Sequence, residues 1–152
     1  MSAETEIDRS GAAVAQRPLV HSVRRPLVMC VDDDVNHRRI AKTVVEQSGY
    51  AFVGLSSGAE CLTMLHRVNP RIILMDIMMP EMDGYETCRR IRLNFRLVLA
   101  RIIYVSALNS LEDISRALGS DADDYIVKPY TAERLRDRIQ HWLREGPREP
   151  DT

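Results

Sequence analysis

Five short apolar runs recur along this chain, each lacking the strict alternation of a half-buried strand, and most are followed by a stretch whose apolar residues repeat every three or four positions. The clearest is Arg71-Ile72-Ile73-Leu74-Met75, which runs into Asp76 and then meets Pro80 and an Asp83-Gly84 turn. Four large apolar side chains in succession predict a strand buried on both faces, as in a parallel sheet. Leu27-Val28-Met29-Cys30-Val31 has the same character and ends in Asp32-Asp33-Asp34. Tyr50 to Gly54 predicts a short strand, Arg101 to Ser106 one that ends in a hydroxyl, and Tyr125-Ile126-Val127 one that leads to Lys128-Pro129.

Helical periodicity fills the intervals. Asn36 is the expected N-cap of a helix to Ser48 that carries Ile40, Val44 and Val45, with Gly49 as its stop. Ser57 caps a helix bearing Cys61, Leu62, Leu65 and Val68, which Asn69-Pro70 ends. Tyr85, Cys88, Ile91 and Arg92 predict a third helix to about Asn94. Ser110, with Asp113 three residues on, caps a fourth that carries Leu111, Ile114 and Leu118, and Thr131 caps a fifth with Leu135, Ile139, Trp142 and Leu143. Phe95 to Ala100, an apolar link, is expected to pack as core rather than form a partner's patch.

Five strands alternating with five helices imply right-handed crossovers and an α/β fold, a doubly wound five-stranded parallel sheet covered on both faces. The domain is expected over residues 26–145, after a disordered leader at 1–25 and before a polar tail at 146–152. In such a sheet the C-terminal strand ends share one edge, where ligands bind. Asp32, Asp33, Asp76, Ser106 and Lys128 are thereby expected to meet, although they are spread along most of the chain.

Composition narrows the class. With 21 basic against 22 acidic side chains, bulk charge implies no polyanion partner, and direct nucleic-acid binding is not expected. Cys30, Cys61 and Cys88 are odd in number and widely spaced, so neither a disulfide framework nor a metal-binding pair can be drawn, and buried thiols suit a reducing cytoplasm. No apolar run reaches the ~20 residues that a membrane span needs. His21, His37, His66 and His141 lack ligand spacing and read as surface or helix-face residues, and the arginines of the last helix read as a solvated face.

The chemistry lies at the sheet edge. Carboxylates gathered in a partly desolvated place repel, so one stays protonated or a cation sits among them. Hard oxygen donors suit Mg²⁺. Adding the Lys128 ammonium and the Ser106 hydroxyl completes what a transferring phosphoryl group needs: positive charge on its outer oxygens and a carboxylate in line.

At these residues the chain resembles the receiver domains of two-component response regulators, whose sheet is flavodoxin-like. The resemblance rests on Val31 to Asp34, Leu74 to Gly84, Val105-Ser106-Ala107 and Asp123 to Tyr130. It implies Asp76 as phosphoacceptor, and Mg²⁺ held by Asp33, Asp76 and the backbone carbonyl of Met78, with Asp32 acting through water. It also implies Lys128 pairing with the acceptor and then with the phosphoryl group, and Ser106 and Tyr125 as the switch that reshapes the face of the last two helices. A histidine kinase or histidine phosphotransfer protein would donate, a downstream protein would respond, and a phosphorylation-dependent homodimer belongs to the same expectation. The resemblance also implies a signalling switch rather than an enzyme, and the absence of a long apolar run implies no membrane insertion. No output domain follows Leu143, so a stand-alone receiver and a fragment of a longer regulator are both open.

Two other readings use the same residues. Asp32-Asp33-Asp34 resembles the strand-end signature of haloacid-dehalogenase-like phosphatases, with Asp32 as nucleophile, but Asp123-Asp124 precede Lys128 where that family expects acids after it. A degenerate receiver serving only as an interaction domain is the third, and the complete acidic cluster argues against it.

Overall fold

The computed structural model describes residues 24–95 and 98–150. Most of the expected leader, residues 1–23, lies outside them, as do Arg96 and Leu97 of the apolar link. Five parallel strands, β1 (Leu27–Val31), β2 (Ala51–Leu55), β3 (Ile72–Met75), β4 (Arg101–Ser106) and β5 (Asp124–Val127), form one sheet in the order β2-β1-β3-β4-β5. The helices between and after them are α1 (Val35–Gln47), α2 (Gly58–Met64), α3 (Gly84–Asn94), α4 (Leu111–Leu118) and α5 (Ala132–Glu145). This is the doubly wound α/β sheet that the alternation predicts.

The unbroken apolar runs resolve into two cores by the period of two. Val28, Cys30, Ile72, Leu74, Ile103 and Val105 point to one face, under Val44 and Val45 of α1 and Leu135 and Ile139 of α5. Met29, Val31, Ile73, Met75, Ile102 and Tyr104 point to the other, under Cys61 of α2, Cys88 and Ile91 of α3, and Ala117 of α4. Each strand residue is wanted by one helical layer or the other, which is why no polar residue interrupts the runs. Burial pushes the thiols of Cys30, Cys61 and Cys88 up to about 12, so they are packing groups without thiolate reactivity.

Local signals placed most boundaries, and the exceptions have causes. Asp34, not Asn36, caps α1: its backbone is extended and its Oδ1 accepts from the amides of Asn36 (2.8 Å) and His37 (3.2 Å). The helix therefore starts at Val35, and a carboxylate at its N-terminus complements the exposed amides and the dipole. The second helix ends at Met64, with Leu65 and Val68 packing beyond it in a turn. Strand β2 runs one residue later than its apolar stretch suggests, because Leu27 to Val31 pair in register with Ala51 to Leu55.

In the link after α3, Phe95 and Val98 pack on the second core and Ala100 is buried. Arg92 holds this link from beneath, donating to the carbonyls of Ala100 (2.9 Å) and Asp121 (3.3 Å).

The turn after β3 is set by Gly84. A methyl group there would lie 2.3 Å from the Asp76 carbonyl oxygen and 2.8 Å from the Ile77 Cα, and backbone atoms cannot step aside as a flexible side chain would. Gly84→Ala is expected to destabilise the domain by about 1–3 kcal/mol. The check is a lower urea midpoint at unchanged slope.

Candidate functional site

Strands β1 and β3 are neighbours, but the chain leaves β1 toward β2 before it crosses back, so the switch point lies between their C-terminal ends. Their ladder continues past the strands: the Asp76 amide donates to the Val31 carbonyl at 2.9 Å, and the Asp32 amide to that of Leu55 at 3.0 Å. These bonds fix the two backbones from which the acids project. One carboxylate oxygen each from Asp32, Asp33 and Asp76 falls within 4.8 Å of the others. Asp32 and Asp76 are buried, whereas Asp33 is exposed at the mouth.

Lys128 arrives from β5, its amide donating to the Ser106 carbonyl at 2.8 Å. Its ammonium lies 2.7 Å from Asp32 Oδ2, 2.8 Å from His37 Nδ1 and 3.6 Å from Asp76 Oδ1. Asp32 is held from two further directions, its Oδ1 accepting from the Asp34 amide (2.9 Å) and its carbonyl from Arg38 Nη1 (2.7 Å). Asp76 has less support. Burial pushes its carboxyl from 3.8 up to about 6, with the Asp32 charge adding to the rise and Lys128 opposing it.

Ser106 is wholly buried, its Oγ accepting from the Leu108 amide at 3.3 Å. Tyr125 is buried too, donating its hydroxyl to the Leu108 carbonyl at 2.6 Å, with its ring at the edge of Tyr104. The hydroxyl of Ser106 and the ring of Tyr125 thus converge on one short segment, Ala107 to Leu108. The Met78 side chain is 62% exposed.

Asp32, Asp33, Asp76 and Lys128 gather at one sheet edge, where Ser106 ends the neighbouring strand β4, while Tyr125 sits within β5 opposite Tyr104. Two relations differ from expectation: Asp32, and not Asp76, is the nearer partner of Lys128, and His37 touches the ammonium although its spacing marked it as a helix-face residue. The signal that could have found it is its place in the first turn of a helix that starts directly after an acidic strand end. Asp123 and Asp124, near the lysine in sequence, are occupied elsewhere. Asp123 binds Arg92, Arg101 and Arg148 at the opposite edge, and Asp124 binds Arg138 and Trp142 of α5.

Three carboxylates against one ammonium leave the pocket rich in negative charge, and the carboxylates supply hard oxygen donors. That donor set fits a Mg²⁺ ion, for which the carboxylates of Asp32, Asp33 and Asp76 are within reach of one another.

A doubly wound parallel sheet with acids at its switch point and a lysine beside them defines a class of α/β domains with an acidic pocket at the sheet edge. The chain matches the model of the response regulator receiver domain over residues 28–140, and it belongs to that family. It is 38% identical over 117 residues to the probable transcriptional regulator ycf27 of Guillardia theta, covering 77% of this chain and 45% of that one. It is 36% identical over 124 residues to the transcriptional regulatory protein AfsQ1 of Streptomyces coelicolor, covering 82% and 54%. Among solved structures, the receiver domain of the Francisella response regulator 1452 superposes with a TM-score of 0.73 at 30% identity, covering 79% of this chain and 98% of that one. The chain spans about half the length of the curated relatives it matches. Its domain is the receiver of a two-component response regulator, a signalling switch. Among the described residues no helix is long and apolar enough to cross a membrane.

Proposed function

We propose that Asp76 accepts a phosphoryl group from a phosphohistidine donor, a histidine kinase or a histidine phosphotransfer protein, and that the acyl phosphate changes the face built by α4, β5 and α5. The observation that carries this reading is the meeting of Asp32, Asp33 and Asp76 within 4.8 Å beside the Lys128 ammonium. A carboxylate oxygen of Asp76 attacks phosphorus while the bond to the donor nitrogen breaks, its electron pair leaving with the imidazole. Asp33, Asp76 and the Met78 carbonyl would hold a Mg²⁺ ion, with Asp32 acting through a water, and the ion would supply positive charge against the phosphoryl oxygens. Lys128 then gives up part of its hold on Asp32 to bind a phosphoryl oxygen, and Ser106 donates its hydroxyl to another. To reach that oxygen Ser106 turns away from the Leu108 amide, and Tyr125, bonded to the Leu108 carbonyl, is released or redrawn with it. The half-exposed Leu118 and the exposed Leu111 of α4 sit on the face so changed, which suits a downstream protein. The cytoplasm, where such donors work, is the proposed location.

The curated relatives are named as transcriptional regulators, and the DNA-binding regulator RpaA of Synechocystis is among them at 28% identity. Binding of nucleic acid by the receiver itself is not part of the proposal. The phosphatase reading with Asp32 as nucleophile is disfavoured, because Asp32 is buried beneath Lys128, with both its carboxylate oxygens and its carbonyl accepting hydrogen bonds. Labelling with radioactive acetyl phosphate in Mg²⁺, followed by mapping of the acyl phosphate, separates the two: label on Asp76 is expected, and label on Asp32 would overturn the assignment.

The phosphoryl group should persist. Met78 and Leu108 stand two residues after the acceptor and after Ser106, where a polar side chain could orient a water, and both are apolar. Decay over many minutes is expected for the phosphorylated protein in Mg²⁺, faster for Met78→Asn. Decay of the unsubstituted protein within seconds would contradict it.

A further inference from the structure

The Lys128 ammonium has three N–H donors, and the pocket offers it three acceptors at unequal distances. Asp32 Oδ2 and His37 Nδ1 stand 3.4 Å apart, and the ammonium bridges them at 2.7 and 2.8 Å, which leaves Asp76 Oδ1 at 3.6 Å, beyond good hydrogen-bond reach. For Nδ1 to accept, the imidazole proton must sit on Nε2. The Asp34 carboxylate lies 3.8 Å from Nε2, favouring the proton there, and Asp34 also caps the helix turn that carries His37, accepting from its amide. The α1 cap, the imidazole and the ammonium thus form one chain of contacts that ends on the lysine.

We propose that His37 is a positioning residue for Lys128: with Asp32 it holds the ammonium on the α1 side of the pocket and withholds it from Asp76 until a phosphoryl group arrives. The inference rests on the receiver reading for its consequence, though not for the contact itself. When Asp32 turns toward a cation, His37 is the acceptor that remains, and moving the ammonium toward Asp76 lengthens its bond to His37. A hydrogen bond of this kind shifts an equilibrium by about two- to tenfold net. Removing the imidazole should raise the limiting rate of phosphorylation by that factor and leave the half-saturating donor concentration unchanged, because the donor does not touch the imidazole.

The chain offers a clean probe, since Lys42 and Lys128 are its only lysines. Protein labelled with ¹³C and ¹⁵N on lysine gives two side-chain Cε and Nζ signals, assigned with Lys42→Arg. His37→Leu removes the acceptor while keeping bulk beside Ile40, Ala107 and Pro129, which line the hollow next to it. His37→Gln keeps an acceptor oxygen. His37 is part-exposed, so neither change threatens the fold.

In the metal-free protein the Lys128 signal is expected to move in His37→Leu, toward that of an ammonium held by Asp32 alone, and to stay near its original position in His37→Gln. With acetyl phosphate in Mg²⁺ the limiting rate should rise about two- to tenfold in His37→Leu and be restored by glutamine. An unmoved Lys128 signal in His37→Leu would overturn the contact. A moved signal with an unchanged or lower limiting rate would overturn the withholding role. If the unsubstituted chain takes no phosphoryl group at all, the receiver reading fails, whereas the lysine signal still decides whether His37 holds Lys128.

Discussion

Asp76→Asn is expected to abolish phosphoryl uptake and, in the same molecule, to stabilise the metal-free protein at pH 7.5 by about 1–3 kcal/mol. The first effect follows because an amide oxygen cannot form the acyl phosphate. The second follows from the direction in which burial moves this carboxyl, from 3.8 to about 6. Between those values the folded chain holds a proton that the unfolded chain has released. The group therefore costs nothing at pH below 3.8, and its cost grows as the pH rises through the window and is complete above about 6. Metal-free protein should accordingly lose stability between pH 4 and 6 from this source, and Asn, uncharged throughout, should remove that slope. Mg²⁺ should recover stability in the unsubstituted protein by binding only the folded state, and recover less in Asp76→Asn. Thermal melts across pH, with and without Mg²⁺, read all of this. A variant melting below the parent at pH 7.5 without metal would show that the charge on Asp76 is compensated by Lys128 after all.

Asp123→Ala is expected to destabilise the domain by about 3–5 kcal/mol without touching the acidic pocket. Asp123 precedes β5 at the sheet edge opposite the site. Its side chain is 8% exposed and accepts from Arg148 (3.0 Å), Arg101 (3.2 Å), Arg92 (3.5 Å) and the Ile102 amide (2.9 Å). Removing the carboxylate leaves the buried Arg92 beside the like charge of Arg148. Burial first and that charge second already disfavour its protonated form. It also leaves the Ile102 amide at the start of β4 without its acceptor. Asp123→Asn, which keeps an oxygen for that amide, should cost less than alanine. The urea midpoint measures both, and an alanine variant within 1 kcal/mol of the parent would show that water replaces the carboxylate freely.

The fold was legible because a strand covered by helices on both sides leaves a local trace: Ile72 to Met75 and Leu27 to Val31 carry no polar residue, and their neighbours repeat at helical spacing. The acids were legible for the same reason, since Asp32 and Asp76 interrupt those runs where a strand must end. Cap identity was less so. Asp34 and Asn36 are both good caps, and the choice turned on which backbone is extended, a matter of how β1 hands over to α1. The Asp123 cluster was not legible at all, for its arginines lie 22 to 31 residues away in sequence and read singly as surface charge.

By itself the sequence determined five strands, five helices, the edge they share and the residue types delivered there, because each depends on burial and turn chemistry within a few neighbouring positions. Only the tertiary structure decided how Lys128 is held. Asp32 and His37 stand 96 and 91 residues before it, and which of three acceptors an ammonium reaches is set by strand register and by the angle at which α1 leaves the sheet. A difference of less than 1 Å between those acceptors separates a lysine resting on Asp76 from one kept beside it.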